Sequence, residues 1–137
     1  MTAKSRLIRC VVIVIGGLIP LLAGCSTVNW EHDYKVGVRR AGQLRKRVLL
    51  QFHSNVNSHC MEMDREVFTN PEVQKLMGEY VAVRLDYLLN KKLADDIDIQ
   101  IVPTFLVLRH DGVIVGSHKG KMDETEFKYF LIKHRYN

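Results

Sequence analysis

Disulfide chemistry is almost out of reach of this chain: its 137 residues include only Cys10, Cys25 and Cys60, no two of them close in sequence. A scaffold stapled by several bridges is thereby excluded. Internal repeats, low-complexity tracts and long linkers are also missing. No apolar run is long enough to cross a bilayer comfortably, since the stretch from Cys10 to Leu22 is short and broken by Gly16, Gly17 and Pro20. What is present is ordinary for a soluble protein with one apolar segment attached: a hydrophobic share of 47% and a formal charge of +5. A chain of this length holds one domain.

The apolar segment follows a basic start made by Lys4, Arg6 and Arg9, the order of a secretory signal. Leu22-Ala23-Gly24-Cys25 resembles the lipobox of bacterial lipoproteins. The resemblance implies cleavage before Cys25, lipid on its sulfur, and attachment made stable by several acyl chains. The expected division is a signal peptide over 1–24, a lipidated tether over 25–29 and a domain over 30–137. The competing reading is an uncleaved anchor or a plain secretory signal. By the same resemblance, Ser26 favours the outer membrane, with the domain facing the periplasm of the bacterial envelope.

Loss of residues 1–24 removes three of the 20 Lys and Arg and none of the 15 Asp and Glu, which leaves a net charge of +2. Nucleic acid is not an expected partner. Cys10 leaves with the signal and lipid occupies Cys25, so Cys60 stands alone in an oxidising compartment and no internal disulfide can form. About four residues join lipid to domain, a reach of at most roughly 14 Å.

Along the domain, Trp30, Tyr34, Val38, Ala41 and Leu44 recur at helical spacing and predict a first helix capped by Asn29, weakened by Gly37 and Gly42. Its other faces carry Arg39, Arg40, Arg45, Lys46 and Arg47, either a solvated basic surface or one that touches anionic headgroups. Val48 to Phe52 reads as a central strand buried on both faces. A loop over 54–58 leads into a helix with Cys60, Met63 and Val67 on one face. Asn70-Pro71 opens another helix as cap and first residue, with Val73, Leu76 and Met77 buried. Val81, Val83 and Leu85 alternate with Ala82, Arg84 and Asp86 in a second strand. A short helix over 90–96 follows. Thr104–Leu108 and Val113–Val115 flank His110-Asp111-Gly112 as a hairpin, and a last helix begins near Asp123 and buries Phe127, Phe130 and Leu131.

This order implies an α/β domain with a mixed sheet covered on both faces. Val48–Phe52, Cys60, Met63–Phe68, Asn70–Val73, Val102-Pro103-Thr104, Asp111-Gly112 and Gly120 together resemble the thioredoxin superfamily, in the bacterial branch with a helix before the first strand. The resemblance implies a three-layer α/β/α sandwich with an extra N-terminal helix. It also implies a cis Pro103 facing the redox position, and a Val102 backbone that pairs with extended peptides.

The departures from the superfamily pattern carry more information. Two cysteines separated by two residues are expected there, the first at a helix N-terminus that stabilises its thiolate. Here the stretch reads Asn57-Ser58-His59-Cys60, so an amide replaces the attacking sulfur. Val56 replaces the usual aromatic, and Gln51 stands where many relatives keep a buried carboxylate. Asn57 is nevertheless a good N-cap, which keeps the helix while removing the chemistry.

Two readings of Cys60 stay open: a buried, inert residue facing the Pro103 loop, or a single catalytic thiol that forms mixed disulfides. His53, His59 and Cys60 match no metal-ligand spacing, and no metal or cofactor is expected. Asn57, Ser58 and His59, with Val102, Pro103 and Thr104, form the expected peptide-binding cleft, its partner an extended segment of an envelope protein.

Overall fold

The computed structural model describes residues 27–136, so the expected leader, Cys25 and Ser26 lie outside the described residues. Among the described residues no helix is long and apolar enough to cross a membrane.

The first helix, α1, spans Tyr34–Leu44 and is capped by Asp33, whose carboxylate accepts from the Val36 amide at 2.9 Å. The helix expected from Trp30 with Asn29 as cap is thus corrected. The segment before α1 is extended and adds to the edge of the sheet: the Glu31 amide donates to Ala82 O and the Arg84 amide to Glu31 O, both at 2.8 Å. Trp30 finds its burial elsewhere, edge-on to Phe68 at 5.5 Å. Gly37 is what lets α1 approach the sheet, because a Cβ there would lie 2.3 Å from Val83 Cγ2.

β1 (Arg47–His53) is the apolar strand of the sequence, one residue longer at each end. α2 (Ser58–Glu62) continues through a π-helical turn over Met63–Val67, and α3 (Pro71–Met77) begins with Asn70 as cap and Pro71 in its first turn. β2 (Tyr80–Asp86), α4 (Lys91–Asp96), β3 (Thr104–Leu108), β4 (Ile114–Lys119) and α5 (Glu124–Lys133) complete the order. A capping box between Asp123 and Glu126 starts α5. β4 reaches Lys119, beyond the expected Val115, and Gly112 supplies the positive φ of 87° in the hairpin turn.

The strands lie in the order β2-β1-β3-β4, with β1 parallel to β2 and antiparallel to β3, and β4 antiparallel to β3. Leu49, Phe105 and Val107 pack on one face with Met63, Phe68, Val73, Phe127 and Leu131. Val48, Leu50, Phe52, Val83 and Leu106 pack on the other with Ala41 and Ala94. The result is the expected three-layer α/β/α sandwich. Ala82, on the opposite face of β2 from Val81 and Val83, is buried too, because α3 and Tyr80 cover that side of the strand.

Candidate functional site

The register fixes which loops meet. Phe52 sits between Leu85 of parallel β2 and Thr104 of antiparallel β3. The loops over 54–57, 87–90 and 100–103 therefore leave the sheet at the same end. Asn57 is extended (φ −89°, ψ 124°) and its Oδ1 accepts the Cys60 amide at 3.0 Å, which starts α2 at this end. Ser58 and His59 in the first turn are exposed, whereas Cys60 is only 2% exposed.

The Val102–Pro103 peptide bond is cis. The loop is fastened on both sides of it: Thr104 Oγ1 donates to Ile101 O at 2.7 Å, and the Gly120 amide donates to Pro103 O at 2.8 Å. Between these ties, among the described residues, neither the Val102 amide nor its carbonyl takes part in a hydrogen bond. Asn57, Ser58, His59 and the segment Val102–Thr104 are thus carried to one end of the molecule, with Pro103 and Thr104 buried and Val102 half-buried.

Burial pushes the Cys60 thiol up from its ordinary value, with the Ser54 backbone pulling the other way. The thiol is therefore neutral at neutral pH, the form that does not attack. Burial and the Arg84 charge push His53 down, against Asp64 and Asp86. Beneath this region Gln51 is fully buried, and its Oε1 accepts from Arg84 Nε at 2.8 Å. A second Arg84 nitrogen meets Asp64 Oδ1 at 2.5 Å, and the guanidinium carbon lies 4.3 Å from the Trp30 ring centroid. This arrangement uses the cation for structure and leaves no carboxylate facing the thiol from position 51.

His53, His59 and Cys60 do not gather into a metal-binding group, and no cluster of three or more His, Cys, Asp or Glu that could hold a metal occurs among the described residues. Sequence reasoning missed an apolar rim on the same end: Val56 is 91% exposed, Leu88 74% and Leu89 86%, and Ile101 is half exposed. The signal was there in Leu88-Leu89, two large apolar residues just past a strand and outside the pattern of the helix that follows. Arg84 was also missed, since its partners are 20 and 33 residues away in sequence.

With this geometry in view, the chain belongs to the thioredoxin-like family, whose model matches residues 29–110. It is 24% identical over 109 residues to "Thiol:disulfide interchange protein DsbD" of Photorhabdus laumondii, which covers 75% of this chain but only 18% of that protein's length. Among solved structures, a thioredoxin from Thermus thermophilus superposes with a TM-score of 0.70 at 23% identity, covering 78% of this chain and 86% of the other. The oxidised C-terminal domain of Neisseria meningitidis DsbD gives 0.68 at 21% identity, covering 78% of this chain and all of that domain. These structural likenesses establish the fold.

Proposed function

We propose that this is a lipid-anchored envelope protein, held through Cys25 and facing the periplasm, with Ser26 favouring the outer membrane. Its thioredoxin-like domain binds an extended segment of another envelope protein and needs no cofactor. The single observation that carries this reading is the Val102 backbone, whose N–H and C=O are unengaged in a loop otherwise tied down. An incoming chain laid along it would gain main-chain hydrogen bonds of the strand-addition kind. The exposed first turn of α2, with Asn57, Ser58 and His59, would form one wall, and Val56, Leu88, Leu89 and Ile101 would supply apolar contact.

The test is titration of the full chain with an unfolded reporter protein whose cysteines are blocked. Ile101→Glu or Leu88→Asp is expected to weaken binding at least tenfold, because each places an unpaired charge against apolar ligand surface, while Cys60→Ala leaves it unchanged. Loss of binding in Cys60→Ala overturns the proposal.

A second reading is favoured by the thiol:disulfide interchange protein among the relatives: a monothiol oxidoreductase acting through Cys60. It requires the buried thiol to become exposed on partner contact. Rapid labelling of native Cys60, with trapped adducts released on reduction, would support it.

A further inference from the structure

The end of the molecule opposite Pro103 carries a different chemistry. There α1, α3 and α5 all terminate, β1 and β2 begin, and the β3–β4 hairpin turns. A cavity of about 600 Å³ opens between them, lined by Arg45, Lys46, Arg47, Arg109 and Arg135, with Glu79 as its one carboxylate. We infer that this end is a docking face for an anionic phospholipid surface, with a headgroup phosphate seated in the cavity. The inference goes beyond peptide binding and rests only on the anchoring proposed above.

The competing explanation is local. Cations commonly gather where helices end, because each C-terminus carries about −0.5 charge. Lys46 Nζ does donate to Gly78 O at 2.9 Å, at the end of α3, and Arg47 to His134 O at 2.7 Å, at the end of α5. Arg135 meets Glu79 at 3.0 Å and Arg109 meets Asp111 at 2.5 Å. Lys46, Arg47, Arg109 and Arg135 each meet a helix-end carbonyl or a carboxylate, which leaves Arg45 as the positive charge outside these pairings. Arg40 adds another in the adjoining recess, beside Lys46. Among the described residues Arg40 and Arg45 form no ion pair, and helix ends alone do not explain them.

Two facts select a bilayer as the source of the anion. Thr27, two residues after the expected lipid-bearing Cys25, lines that same recess with Arg40 and Lys46, so the tether emerges on the basic end. Two residues reach at most about 7 Å, less than one Debye length at physiological salt, so the positive charges would lie within the field of anionic headgroups.

The test uses the full chain reconstituted into vesicles of phosphatidylcholine alone, or with part of it replaced by phosphatidylglycerol. The readout is amide hydrogen exchange over residues 43–47 and 109–112. Exchange is expected to slow on the phosphatidylglycerol vesicles and recover at high salt. Each basic residue at an anionic surface multiplies the attached population about fivefold, so Arg40→Gln combined with Arg45→Gly is expected to reduce the protection about tenfold or more. Arg45 has a φ of 51°, where glycine fits without strain, and unchanged exchange over residues 48–53 of β1 and in β3 would verify that the variant folds. Identical exchange on both vesicles overturns the inference alone. So does equal slowing by inorganic phosphate on phosphatidylcholine vesicles, which would make the cavity a solute-anion site. Failure to stay on either vesicle overturns the anchoring reading together with this one.

Discussion

Arg84 donates from Nε to Gln51 Oε1 across the parallel pair of β1 and β2, while the Gln51 amide nitrogen behind it is buried with no partner among the described residues. The carbonyl side of this amide is satisfied and the nitrogen side is not. Gln51→Leu removes the orphan donor but strands Arg84 Nε, and Arg84→Leu strands the Gln51 oxygen. Each single change is expected to cost about 1–3 kcal/mol. The double change should cost less than their sum by about 1 kcal/mol or more, measured by urea denaturation in a double-mutant cycle.

The contact between Gly37 and Val83 gives a second cycle. Gly37→Ala normally favours a helix, but here the new methyl would overlap Val83 Cγ2 at 2.3 Å. The expected result is a loss of about 1–3 kcal/mol, relieved in part when Val83→Ala is added. Thermal unfolding of the four proteins decides it, and a stabilised Gly37→Ala would show that α1 stands further from the sheet than described.

His53 sets a sign for pH dependence. Its value is pushed below the ordinary histidine value of about 6.5. Over the interval between the two values the unfolded chain binds the proton that the folded chain refuses, so stability falls as pH falls below about 6.5. His134 is shifted the same way and contributes with the same sign. Unfolding free energy measured from pH 7.5 to 5.5 should decline, and His53→Asn should flatten the decline without abolishing it.

Asn57 is expected to guard Cys60 through the cap. Asn57→Ala leaves the Cys60 amide without its acceptor and should destabilise the start of α2 by about 1 kcal/mol, whereas Asn57→Gly should lose only a few tenths. Labelling of Cys60 by a thiol reagent should be slow in the parent chain. It should quicken about fivefold in Asn57→Ala if reaction proceeds through opening of this turn. Fast labelling of the parent chain would contradict the burial of the sulfur.

What could be read in the sequence is what depends on neighbours within a few residues. Asn57, Asn70-Pro71 and Asp123 each mark a helix start that the structure places there, because a cap needs only its own turn. The Val48–Phe52 strand announced itself by an unbroken apolar run that only a doubly covered position explains. Trp30 misled because its spacing to Tyr34 is helical, while the force that places it comes from Phe68 and Arg84, far along the chain. The π-helical turn at Met63–Val67 left no mark, since it keeps the same apolar residues facing inward. Of the Pro103 end, the two segments that meet there could be placed from the sequence, but the apolar rim and the Gln51–Arg84–Asp64 chain could not, because each is assembled across elements.

β1 runs from the basic cavity at Arg47 to the Pro103 end of the molecule at His53 without a break, which makes it a spacer as well as a core strand. The six steps from Arg47 to His53, at about 3.3 Å each, separate the two ends by roughly 20 Å. With the basic end on lipid, as inferred above, a segment bound at the Pro103 end would be presented at a fixed standoff in the aqueous space. Under the binding proposed above, segments lying flat on the membrane would be out of range, and only those reaching that height would be bound.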